Sequence, residues 1–168
     1  MTIKQSLFFL AFPVLAACNN QTTEESKTDT TQVVNVTDKE PTSKDADMEQ
    51  IKAQDTLFED GSKPSSWTHA GFDDPTAFKQ FVIQFKEWVK TDNVDEIVAH
   101  IRFPLKKVKT SEAFKKQYAQ IFTQQLKDEI AKQRLDRIFR NVDGAMLGDG
   151  LIWFVPSGKK YSIIAINN

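Results

Sequence analysis

Cysteine is almost missing from this chain: Cys18 is the only one in 168 residues. No internal disulfide is available, and stability must come from the core alone. Histidine is nearly as scarce, with only His69 and His100. Two isolated histidines without thiolates match no zinc spacing, so no metal site is expected. Long apolar runs are missing too. The longest, Leu7 to Ala17, has eleven residues, far short of the ~20 that a membrane-spanning helix needs. Beyond Cys18 no residue pattern forms a catalytic signature, and none asks for a cofactor.

The N-terminus is the most informative stretch. Lys4, the apolar run and the tetrapeptide Leu15-Ala16-Ala17-Cys18 stand directly before a polar tract. A run of this length suits a secretory leader that is removed after export. Small residues at 16 and 17 let an extended chain enter a signal peptidase. The tetrapeptide resembles the lipobox of bacterial lipoproteins. That resemblance implies a signal peptide over residues 1–17 and a mature N-terminus at Cys18, whose thiol carries a diacylglycerol and whose amine is often acylated as well, with palmitate or a similar chain. Each buried methylene contributes ~0.8 kcal/mol, so two or three chains make a stable membrane anchor where one is marginal. Asn19 follows the cysteine in place of the Asp that resembles an inner-membrane retention signal, which favours an outer-membrane lipoprotein facing the periplasm in a host with two membranes; the inner membrane and the cell surface are the alternatives. Acylation would use the one thiol and remove thiol nucleophiles and thiolate ligands from consideration.

Composition then divides the mature chain. From Asn19 to about Asp47 the only sizeable apolar residues are Val33, Val34 and Val36, too few to offset the entropy of ordering. We read residues 18–66 as the lipidated cysteine and a disordered acidic tether, reaching about 30 Å if flexible. Within it Met48, Ile51, Leu57 and Phe58 could form a short helix or strap on the domain, with a break at Gly61 and Pro64-Ser65-Ser66. The domain proper is placed at 67–168. Residues 19–66 carry eleven acids and five lysines, whereas 67–168 carry sixteen basic residues and twelve acids, so the overall −1 hides a basic domain on an acidic leash. Lys106, Lys107, Lys109, Lys115 and Lys116 are the densest basic stretch, which a solvated helix face and loop explain, and whose field also suits anionic lipid, a glycan or an acidic partner. Without interleaved aromatics it does not suit nucleic acid.

Inside the domain, Asp73-Asp74-Pro75 is a helix start. Ala77, Phe78, Phe81, Val82, Phe85, Trp88 and Val89 form one apolar stripe to about Lys90, with Lys79, Gln84, Lys86 and Glu87 outside it. Thr91-Asp92-Asn93 caps a shorter helix, Val94 to about His100. Ile101 to Val108 reads as a strand with Pro104 at an edge or bulge. A further helix runs from Ser111 to about Gln133 with a break near Thr123. Short apolar runs at 138–139, 144–147, 151–155 and 161–166 then alternate with turn signals, the Asp149-Gly150 pair above all. Helices followed by consecutive antiparallel strands predict an α+β domain with N-terminal helices on a curved antiparallel sheet.

In this order, the segment Ile101–Leu105, the helix containing Phe114 and Tyr118–Phe122, the glycine-rich hairpin Gly144–Phe154 and the ending Ile163–Asn167 resemble a group of bacterial envelope proteins. That group is similar in fold to the nuclear transport factor 2-like and SnoaL-like cone. The resemblance implies a cone of about a hundred residues, and it is nearly silent on activity, because such cones host isomerases, dehydratases, carriers and interaction modules.

Candidate chemistry is sparse. Glu96 and His100, four apart on a helix, suit an orienting carboxylate and a general base, with Asp92 or Asp95 to complete the set; such a pair is common on solvated helices, which is the favoured reading of it. Asp143 to Asp149 faintly resembles a calcium loop but lacks the ligand series and its terminal glutamate, and a hairpin turn accounts for the same residues. Trp153, Trp88, Tyr118 and Arg140 could line a ligand pocket or simply pack. The favoured reading is a lipid-anchored, noncatalytic binding or interaction module. The alternatives are a small cone-fold enzyme, isomerase or hydrolase, and an inhibitor of an envelope hydrolase. An envelope protein or glycan and a second copy of the chain are the partners considered.

Overall fold

The computed structural model describes residues 43–58 and 60–167. The leader, Cys18 and the tract up to Thr42 lie outside the described residues, and with them the signal and the anchor. Five α-helices are described: α1 (Ser43–Lys52), α2 (Pro75–Lys90), α3 (Val94–Ala99), α4 (Ser111–Ile121) and α5 (Gln124–Lys132). A short 3-10 turn at Leu135–Arg137 leads into β1 (Phe139–Asn141), β2 (Gly144–Leu147), β3 (Ile152–Ser157) and β4 (Lys160–Ile166).

Helices α2 to α5 each start where a capping side chain takes up an orphan amide. Asp74 accepts from the Ala77 amide at 2.9 Å and Pro75 occupies the first turn of α2. Asn93 accepts from Glu96 at 3.4 Å to open α3. Thr110 and Thr123 open α4 and α5 in the same way, so the helical pattern after Ser111 does break at Thr123. The α2 stripe buries Phe78, Val82, Phe85 and Val89. Phe78, Phe81 and Phe85 meet the ring of Phe154 on β3 at 5.9, 5.7 and 5.2 Å between centroids. Burying one such ring is worth about 1.5–3 kcal/mol over leaving it in water. That contact glues the helical layer to the inner face of the sheet.

The strands run in sequence order, β1-β2-β3-β4, all antiparallel. The domain is therefore α+β as expected, and its sheet is open, with β1 and β4 as edges. Asp149 and Gly150 both take left-handed φ, 54° and 87°, which is what makes that dipeptide a hairpin turn. Gly144 has a different reason to be glycine: a Cβ there would lie 2.2 Å from the Phe154 carbonyl oxygen.

Three expectations are corrected. Ile101 to Val108 is no strand: a single parallel bridge joins Ile101 to Ile163, and the chain then folds back so that the Leu105 amide donates to the Val108 carbonyl at 2.8 Å. Pro104 has no amide to offer a ladder, which ends pairing there. Lys79, expected on the polar face of α2, is buried. The folded unit also begins well before Trp67. Ile51 and Phe58 are buried, Met48 and Leu57 exposed, and Gln50 on α1 accepts from the Leu135 amide at 2.8 Å. A composition average over a polar stretch cannot register two or three side chains that reach the core.

Candidate functional site

Glu96 and His100 do not converge. Glu96 is exposed on α3, and among the described residues its carboxylate has no hydrogen-bond or ion-pair partner. His100 closes α3, where its ring lies against Phe81 and Trp88 at 4.9 and 5.0 Å, and its Nδ1 sits 2.8 Å from the Tyr161 carbonyl oxygen. A carbonyl at that distance asks for a proton on Nδ1. The imidazole thus joins α3 to the sheet edge. Asp95 pairs with Lys115 at the surface, and Asp92 belongs to a different junction.

The four residues expected around one pocket separate in the same way. Trp88 packs on Phe81 and His100, while Trp153 sits on the sheet edge-on to Phe139. Tyr118 is buried on α4 and donates to Asp92 at 2.9 Å. Lys127 reaches the same carboxylate oxygen at 2.5 Å. These two donors, Lys127 foremost, hold the Asp92 carboxyl below its ordinary value, and burial followed by the Asp92 carboxylate pushes the Tyr118 phenol far above its own. The trio ties the end of α2 to α4 and α5.

Arg140 lies deeper. Its Nη1 is 3.1 Å from Asp55 Oδ2 and donates to the Ile138 carbonyl at 3.1 Å, while its Nε donates to the Ser65 carbonyl at 2.8 Å. Asp55 also accepts from Lys79 Nζ at 2.7 Å and from the Trp67 indole at 2.6 Å. Burial lowers the Arg140 guanidinium from its usual value and Asp55 opposes the shift. Neither Asp55 nor Lys79 was readable as a site residue: one stood in an acidic leash, the other on a helix face full of charge. The available signal was the adjacency of Lys79 to Phe78, since a lysine beside a fully buried position must cover its stem.

A concavity of about 990 Å³ is an open groove between α1, α2 and α5. Ile83, Val89 and Ile130 supply its apolar floor. Lys44, Lys86, Lys90 and Lys127 face Asp47, Glu87, Asp92 and Asp128 along its walls. Lys86 donates to the Gln133 carbonyl at 3.0 Å, and burial lowers its ammonium from the ordinary lysine value against the pull of Asp47. Of the residues named for catalysis or ligand binding, Asp92 alone lines this groove. The basic stretch lies elsewhere, and part of it is spent on structure. Lys109 donates to the Leu105 and Lys106 carbonyls, each at 3.0 Å, and Lys115 holds Asp95.

Among the described residues no group of three metal-ligating side chains comes together, and no helix is long and apolar enough to cross a membrane. No family model, curated protein or solved structure matches the chain.

Proposed function

We propose that this is a lipid-anchored protein of the bacterial envelope, held at the outer membrane on the periplasmic side through Cys18, whose folded part is a noncatalytic binding module. The groove between α1, α2 and α5 carries the reading. Walls of four cations and four carboxylates over an apolar floor suit a polypeptide segment with charges of both signs, because complementary charge fixes register and rejects wrong partners. The occupant is an envelope protein. The nuclear transport factor 2-like cone is part of the same proposal, supported by the helix-then-hairpin order and by a bulge between Trp153 and Phe154, a feature that bends the strand carrying it.

The test is photo-crosslinking in cells from Gln84 and Gln124 in the groove, with exposed Thr68 as the control position. One discrete protein adduct is expected from the groove positions and not from Thr68, weakened by Lys44→Glu or Asp128→Lys. Cys18→Ser should move the protein from the membrane to the soluble fraction. Adducts shared with Thr68, a glycan adduct, or a Cys18→Ser chain that stays with the membrane would each overturn the corresponding part.

A further inference from the structure

Between α1 and Trp67 the chain crosses the domain as a strap with very few attachments. Over the described part of 52–63 only Asp55 and Phe58 turn inward. Among the described residues no backbone–backbone hydrogen bond joins 54–64 to the elements beneath; the Phe58 and Gly61 amides bond within the strap. Local opening at low free energy is what such a segment does.

Both inward side chains end in groups that other elements hold in place. The Asp55 carboxylate receives Lys79 from α2, Arg140 from β1 and the Trp67 indole, with the lysine and arginine side chains only 4% exposed. Arg140 is also held by the Ile138 carbonyl and by the Ser65 carbonyl beyond the segment that opens, and it lies 4.0 Å from the Trp67 ring. Phe58 packs on Phe139 at 4.7 Å and under Arg140 at 5.6 Å. Two buried cations thus face one carboxylate. A seam meant to stay shut is made more cheaply from apolar residues, whereas surplus positive charge beside aromatic walls is what a receptor for a carboxylate carries.

We infer that Lys79, Arg140, Trp67 and Phe139 form a binding site for a peptide bearing a carboxylate with an aromatic ring three residues further on, and that Asp55 and Phe58 fill it as a built-in competitor. An incoming acidic-aromatic segment exchanges with the strap and leaves the sheet and α2 folded. The inference is independent of the α1–α2–α5 groove and survives its failure.

The experiment uses the full chain, its Asp55→Ala variant and a synthetic peptide of residues 53–58. In Asp55→Ala, exchange of the Phe58 and Gly61 amides, which bond within the strap, should rise on the order of a hundredfold, the equivalent of losing one partner of a buried pair, while β3 and β4 keep their protection. Acetate should raise the melting temperature of Asp55→Ala saturably, beyond chloride at equal ionic strength, and adding Lys79→Met should abolish that gain. The peptide should bind Asp55→Ala about tenfold or more tighter than wild type, and a version with alanine in place of the phenylalanine should lose the difference. In the wild-type chain, where folding is not at issue, excess peptide should raise exchange over 54–63 alone. Loss of protection throughout the domain in Asp55→Ala, acetate acting only as chloride does, or a wild-type strap indifferent to the peptide would each overturn the inference.

Discussion

The strap over 54–63 and the β3–β4 hairpin lie on the same domain, yet they are attached by opposite means. The hairpin is bound by a ladder from Ile152↔Ile166 to Ser157↔Lys160, interrupted once by the bulge between Trp153 and Phe154, and it drives Phe154 and Ile163 into the centre, both 0% exposed. The strap has one ring and one carboxylate. Apolar burial joined to a ladder is shared among many groups and opens only with the whole, whereas two pins can open on their own. Integral and detachable pieces are therefore told apart by how their attachment is distributed, more than by how deeply any one side chain is buried.

The largest expected effect tests that contrast directly. Phe154→Ala removes the ring on which α2 closes and should cost about 3–5 kcal/mol, seen in urea as one cooperative transition at lower midpoint. Phe58→Ala deletes the same chemistry from the strap. Its main readout should be faster tryptic cleavage at Lys52, with a smaller loss of global stability. Equal global losses from the two would erase the distinction. Gly144→Ala comes next. The added methyl meets the Phe154 carbonyl at 2.2 Å in a backbone with φ of 132°, so strain and overpacking should cost about 3 kcal/mol. The damage should fall on the hairpin side, leaving strap exchange at its wild-type rate until the domain unfolds. Hydrogen exchange resolved by segment separates these outcomes.

The same contrast explains which parts were legible in the sequence. Apolar periodicity and turn chemistry are local and repeated: Phe78, Val82 and Phe85 mark α2 by spacing alone, and Asp149-Gly150 marks its turn without help from the rest of the chain. Attachments made by single side chains have no period. Asp55 looks like any acid in a polar tract until Lys79 and Arg140, 24 and 85 residues away, are brought to it. Arg140 was visible as a residue of interest, but its role as an anchor for Asp55 depends on the fold. Glu96 and His100 show the converse error. Their four-residue spacing is real, but α3 ends at Ala99, and His100 as the capping residue turns its ring toward Tyr161 while Glu96 stays outside.

Asp92 offers the smallest effect and the sharpest control for Asp55. It too is a carboxylate with two side-chain donors, Lys127 and Tyr118, but its side chain is 53% exposed where that of Asp55 is 7%. If burial is what turns a carboxylate into a pin, Asp92→Asn should cost only what exposed pairs are worth, about 0.2–1 kcal/mol at neutral pH. Asparagine tolerates the left-handed φ of 52° at this position, so the substitution adds no backbone strain. The pH dependence has a definite sign. Lys127 and Tyr118 depress the folded-state pKa of Asp92 below its ordinary 3.8. Its stabilisation is thus complete above that value and fades as pH falls through the lower, folded one. The gap between wild type and Asp92→Asn should stay constant from pH 7 down to about 4.5 and close below it. Urea midpoints at a series of pH values measure this gap; one that widens in acid would mean that the hydroxyl and ammonium donors act through something other than the charge on Asp92.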